Sequence, residues 1–308
     1  MKKRIMLFML FTIIIGISFA RETSLHDAEE AEGQIESRID ISFYASTRGE
    51  MQVNFMPQWK FPFLQGNTPW TSENNVVLKL DAALSPIWAG LSGDAIITVL
   101  PFLLVRSGAM AGTGWNYDLF GKVPLVGLGL NSRTSVDDPN DGVMGNGFDG
   151  VVWNVHTGVT LQFDLAAFLP GDWNHVIMQF YNRVEYFAYS KAKGNDLWYY
   201  LGDDGMNMNV FRHKFELFVG YAMPIFIDLV GYQLEGTLPF YNIEAGSSVV
   251  DMGYSLTNAF IANFRINRQF SIMTIARITN GFKDPITSNY EREWGFDRVQ
   301  FIATWRIK

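Results

Sequence analysis

The strongest constraint on this chain is the period of its hydrophobicity, because apolar and polar residues alternate one by one in segment after segment. Between Glu50 and Lys60 the even positions are Glu, Gln, Asn, Met, Gln and Lys, whereas Met51, Val53, Phe55, Pro57, Trp59, Phe61 and Phe63 occupy the odd ones. Successive side chains of a β-strand point to opposite faces, so this segment makes a strand with one wet and one apolar face. The pattern returns at Val151, Trp153, Val155, Val159, Leu161 and Phe163, which alternate with Asn154, His156, Thr160, Gln162 and Asp164. Phe211, His213, Phe215, Leu217, Val219 and Tyr221 stand opposite Arg212, Lys214 and Glu216. Leu256, Phe260, Ala262, Phe264 and Ile266 against Ser255, Thr257, Asn263, Arg265 and Asn267 give a further strand. The last sets Val299, Phe301, Ala303, Trp305 and Ile307 against Arg298, Gln300, Thr304 and Arg306. Extended along the chain, the alternation predicts about twelve strands. They lie near residues 37–46, 49–61, 74–84, 91–100, 103–116, 147–164, 174–190, 209–221, 226–240, 253–266, 270–281 and 293–307.

The amino terminus obeys a different logic. Lys2, Lys3 and Arg4 precede the apolar run Ile5 to Ile17, and Ser18-Phe19-Ala20 supplies the small residues a signal peptidase reads. Residues 1–20 therefore read as a secretory signal peptide cleaved after Ala20. Residues 21–36 carry Glu22, Asp27, Glu29, Glu30, Glu32 and Glu36 and read as a flexible, acidic periplasmic tail. The remainder, 37–308, suits one large domain. The absence of cysteine excludes a disulfide framework, thiolate metal sites and a thiol nucleophile. A net charge of −7 without a basic stripe argues against a nucleic-acid partner. Arg106 ends the apolar run from Ala95 to Val105, and Pro224, Asp228 and Gln233 interrupt the one from Leu217 to Leu234. No segment after the leader thus offers the roughly 20 apolar residues of a spanning helix.

Two architectures use such strands. A soluble sandwich turns its apolar faces inward, while an outer-membrane barrel turns them outward. The connections Tyr117 to Asn146, Lys191 to Met208, Asn242 to Met252 and Phe282 to Arg292 are long and polar, and those at Met223-Pro224 and Asn267-Arg268-Gln269 are tight. Long loops alternating with short turns characterise the barrel, although Thr47-Arg48-Gly49 is tight where a loop is expected. Trp59, Trp88, Trp115, Trp153, Trp294 and Trp305, with Tyr186, Tyr221 and Tyr254, are candidate girdle residues at the membrane interfaces. With its leader, its strands, its loops and a terminal strand of the form Gly295…Val299-x-Phe301-x-Ala303-x-Trp305-x-Ile307, the chain resembles bacterial outer-membrane β-barrel proteins. The resemblance implies an all-β fold, a transmembrane antiparallel up-and-down β-barrel of about twelve strands. It also implies an integral protein of the outer membrane after Sec-type export, in contact with outer-membrane lipids. Its last strand would be offered to the barrel-assembly machinery, although the chain ends in Lys308 where many members have an aromatic residue. Activity does not follow from the resemblance, because unrelated activities share this architecture.

With the polar faces inward, the lumen holds Arg38, Lys60, Lys79, Arg106, Arg183, Arg212, Lys214, Arg265, Arg277, Arg298 and Arg306 against Asp40, Glu50, Asp81, Asp164, Glu185, Glu216 and Glu235. That excess of cations predicts a porin-like channel for small polar solutes, anionic or zwitterionic. Its expected selectivity residues are Arg106, Arg183, Glu185, Arg212, Lys214, Glu216, Arg265, Arg277 and Arg298. In the competing reading, mixed charges fill a narrow barrel with ion pairs and close it, since twelve strands lie between the filled barrel of about eight and the open one of about sixteen. A closed barrel would act as a structural or adhesive surface protein through aromatic loops such as Leu197 to Tyr200.

No enzymatic constellation, cofactor or metal site is expected. His156 and Thr157 point to opposite faces, and His213 lies on an apolar face with no neighbouring Ser, so neither activates a nucleophile in the manner of a Ser–His pair. His175, close to Asp172 and Trp173, reads as a girdle residue in a periplasmic turn. Asp137-Asp138-Pro139-Asn140-Asp141-Gly142 resembles the start of a calcium loop, but Phe148 stands where the bidentate Glu belongs, so a solvated loop is preferred. The glycines of 108–114 and 127–129 match no phosphate cradle and instead ease curvature or let a loop fold inward. The Tyr117 to Asn146 loop, with its apolar run Val123 to Leu130, is then a candidate constriction.

Overall fold

A computed structural model of the chain describes residues 35–307 apart from 69, 120–122, 131–147, 149, 194, 195, 197, 201–206, 241, 246, 247, 252, 253 and 285–288. The leader, the tail up to residue 34 and the calcium-like loop at 137–142 lie outside the described residues. Twelve strands form a closed sheet: β1 (Glu36–Ser46), β2 (Met51–Pro62), β3 (Asn75–Ser85), β4 (Trp88–Leu100), β5 (Leu103–Gly114), β6 (Val152–Asp164), β7 (His175–Tyr189), β8 (Val210–Ala222), β9 (Ile227–Pro239), β10 (Ser255–Arg265), β11 (Phe270–Asp284) and β12 (Asn289–Ile307). Each pairs antiparallel with its successor, and β12 returns to β1, where Ile39 to Ser46 face Ile307 to Gln300. Closure leaves no sheet edge and rules out the sandwich. Each expected strand is present, with starts displaced most at Val152 and Asn289.

Exposure settles which face is which. Glu185, Gln233 and Gln300 are each 1% exposed, while Val155 is 49% and Trp305 54% exposed. A soluble protein shows the reverse, so the apolar set is the outer wall and the polar set the inner one. In β1 to β10 no Asp, Glu, Lys or Arg takes an outward position among the described residues. Such a wall matches the demand of a bilayer, where an outward cation near the midplane costs about 2–4 kcal/mol. Among the described residues no helix is long and apolar enough to cross a membrane, so the strands are the spanning elements.

Both termini emerge at the same end, here the terminal end, and the opposite one is the loop end. The loop end holds the tight β1–β2 and β3–β4 turns beside the long β5–β6 and β7–β8 connections, so the loop alternation is confined to the second half of the barrel. Two irregularities matter for the interior. The register shifts between Ile227 and Leu229 on β9, and Asp297 is an extra residue on β12 opposite the step from Arg277 to Ile278. A bulge adds one residue to one strand and locally breaks the period of two. Asp228 and Asp297 are both buried as a result, side by side with inward-facing Leu229 and Arg298.

Candidate functional site

The lumen wall carries a belt of charges that crosses most of the strands. On β4 and β5, Arg106 donates to Asp94 through Nε at 2.8 Å and Nη2 at 2.6 Å, and His156 Nε2 on β6 meets the same carboxylate at 2.8 Å. Gly108 sits opposite both Asp94 and His156 in register, and a Cβ there would come within 2.9 Å of His156 Nε2. On β7 and β8, Glu185 gathers Arg183 Nη2 at 3.1 Å, Arg212 Nε at 2.9 Å and Lys214 Nζ at 3.0 Å. Arg212 also stacks its guanidinium 3.9 Å over the Phe187 ring. Glu216 stands between Tyr181 and Glu235 in the ladder, and Glu235 accepts from Arg277 Nη2 at 2.9 Å. Near the loop end Arg298 bridges Glu50 at 3.1 Å and Asp297 at 2.7 Å, Arg48 closes on Asp297 at 2.7 Å, and the Tyr44 hydroxyl donates to Glu50 at 2.9 Å. Arg38 and Arg306 share Asp40 at 2.7 and 3.6 Å.

The structure brings Arg106, Arg183, Glu185, Arg212, Lys214, Glu216, Arg277 and Arg298 together on the inner wall, as the alternation predicts. Arg265 is a correction. It occupies the last residue of β10 at the terminal end, its side chain is 45% exposed, and it pairs with Asp228 at 2.9 Å, so it belongs to the rim. The cationic excess also shrinks, because Asp94, Asp228 and Asp297 join the inner wall. Two of these three sit at bulges, where counting by twos loses the face. His175 is no girdle residue either: it opens β7, is buried, and holds Asp164 Oδ2 at 2.8 Å. Trp88 likewise leaves the girdle and is buried inside.

Not all of the inner wall is polar. Ile177, Phe218, Leu229, Ile261, Ile275 and Ile302 are buried on it, an apolar lining the alternation did not reveal because both faces of β7 to β12 are apolar at these positions. Phe218 lies flat across Gly220 and Gly231, where an added Cβ would come within 2.7 and 2.8 Å of its ring, and Tyr181 covers Gly158 at 2.9 Å in the same way. At the loop end, Leu128–Leu130 pairs with Trp198–Tyr200. This ladder packs with Trp88, Val152, Phe187 and Tyr189 into an aromatic cap. Gly127 permits the inward turn, since a Cβ there would meet the Trp115 backbone at 2.8 Å. The apolar run of the β5–β6 loop therefore does fold inward, and Trp198 and Tyr200 of the β7–β8 loop are buried rather than displayed, with Trp198 at 0% exposure.

Among the described residues no cluster of three or more His, Cys, Asp or Glu has the arrangement of a metal site. No family model and no curated protein sequence matches the chain. Solved structures similar to it include the NanC porin, at 8% identity and a TM-score of 0.41 over 88% of this chain and 99% of that one. The KdgM porin has 6% identity and a TM-score of 0.38 over 89% and 99%, respectively. An outer-membrane channel from Pseudomonas putida F1 has 8% identity and a TM-score of 0.39 over 92% and 100%. At these scores the likeness is one of general shape, and solute and activity have to be read from this chain itself.

Proposed function

We propose that the protein is a porin-like channel of the bacterial outer membrane through which small polar solutes, anionic or zwitterionic, diffuse passively. One observation carries this reading: charged and polar side chains line the inner wall across most of the strands, a lining that a purely structural barrel filled with apolar side chains does not need. Large inward rings pressed flat on glycines, rather than projecting across the bore, agree with a passage. Preference for anions follows from the three cations Arg183, Arg212 and Lys214 that share Glu185. Export by a Sec-type leader, contact with outer-membrane lipids and assembly by the barrel-assembly machinery belong to the same proposal. Reversal potentials in a salt gradient test it: Arg183→Ala and Lys214→Ala lower anion preference relative to wild type, and unchanged potentials remove the Glu185 cluster from any role in selection. The aromatic cap favours a second reading, a closed structural barrel, but its buried Trp198 and Tyr200 offer no adhesive surface.

A further inference from the structure

Polar side chains on the outer wall are sealed elsewhere by partners within the wall. Ser107 Oγ and Thr157 Oγ1 meet at 2.9 Å across β5 and β6, and the Tyr232 hydroxyl donates to Asn258 Oδ1 across β9 and β10. Lipid offers no competing donors, so outward polar groups find each other. His213 on the outer face of β8 is held from both sides. Its Nδ1 lies 3.0 Å from the Tyr254 hydroxyl and its Nε2 3.0 Å from Asn182 Oδ1 on β7. An amide oxygen only accepts, so Nε2 carries the proton and donates to Asn182, and the Nδ1 lone pair accepts from Tyr254. A hydroxyl, a base and a group that fixes the tautomer of the base are the parts of an activated nucleophile. No Ser neighbours His213 in the sequence; the hydroxyl comes instead from a tyrosine beyond the next strand.

The surroundings fix its position. The Tyr254 ring packs edge-on against His213 at 6.0 Å and Phe215 at 5.6 Å. Gly236 on β9 makes room, since a Cβ there would come within 2.6 Å of Phe215 Cζ. Tyr254 is 38% exposed to the lipid side. Close by, Trp153, Tyr186 and Phe211 form an outward aromatic row with centroids 5.4 and 5.0 Å apart. Aromatic rows mark the membrane–water interface, the level at which the ester carbonyls of lipids lie.

We propose that Tyr254, with His213 as base and Asn182 as positioning residue, accepts acyl groups from lipid esters at the outer wall of the barrel. The Tyr254 oxygen attacks the ester carbonyl while its proton passes to His213 Nδ1. Collapse of the tetrahedral adduct breaks the bond to the alkoxy oxygen, which takes that proton and departs as the lysolipid alcohol. The acyl group then resides on Tyr254 as an aryl ester, and water at the interface hydrolyses it to a fatty acid and the free phenol.

The test uses the full chain in phosphatidylethanolamine vesicles, with lysolipid, fatty acid and the Tyr254 peptide followed by mass spectrometry. Wild type is expected to form lysolipid, with the acyl group found on Tyr254 or released as fatty acid. Tyr254→Phe abolishes this, and His213→Ala slows it roughly hundredfold. His213→Gln replaces the alanine variant should that one fail to insert. Asn182→Leu slows the reaction, and Asn182→Asp, which still accepts from Nε2, restores it; a merely structural Asn182 would not show that rescue. Equal lysolipid from wild type and Tyr254→Phe, or a rate indifferent to His213, overturns the proposal. Conductance plays no part in the readout, so the outcome is independent of the channel.

Discussion

At Glu185 three cations meet one carboxylate that is 1% exposed, and the energetics of the lumen are concentrated there. Removing one member of a buried charge group strands the rest, at about 3–5 kcal/mol. Glu185→Gln is therefore expected to lower unfolding stability in urea by about that amount, and the same variant, if folded, to raise anion preference. Unchanged stability would mean that water, not Glu185, solvates these cations. The residues of this cluster were legible in sequence because β7 and β8 alternate without a break, so Arg183, Glu185, Arg212 and Lys214 fall on one face by parity alone. Their partnership was not legible, because it depends on the register between two strands joined by a long loop. Asp228 and Asp297 were invisible for a different reason: each adjoins a bulge, and parity on one side of a bulge does not carry to the other.

Strands and loops carry separate consequences. Val155 on β6 faces outward and Thr160 on the same strand faces inward, so they form a paired test of the face assignment. Val155→Lys is expected to impair insertion or to destabilise the barrel by about 2–4 kcal/mol, while Thr160→Lys is tolerated. Heat-modified gel mobility and urea titration read the difference, and equal tolerance would contradict the assignment. The loop end makes its own prediction. Trp198 is buried among Phe187, Tyr189 and Tyr200, so Trp198→Ala loosens the cap and is expected to raise conductance. Unchanged conductance would place the limiting section deeper in the barrel. The inward course of the β5–β6 loop was foreshadowed by its glycines and its apolar run, but its pairing with the β7–β8 loop has no signature in local sequence, because neither three-residue segment is a strand on its own merits.

For the whole molecule, twelve strands in simple order, an outer wall free of charge over the described residues of β1 to β10 and a charged inner wall follow from a single pattern repeated along the chain. That pattern specifies architecture with little ambiguity once the sheet closes, and it leaves the state of the bore to the balance between paired charges, flattened rings and the cap. The central claim is that this bore conducts. Single-channel recording of the mature chain, refolded and inserted into a planar bilayer under asymmetric salt, tests it most directly. Stable openings with a reversal potential on the anion side, shifted toward zero in Arg183→Ala, are the predicted result. Silence from protein shown to be folded and inserted would contradict it and leave a barrel closed by its own ion pairs and aromatic cap.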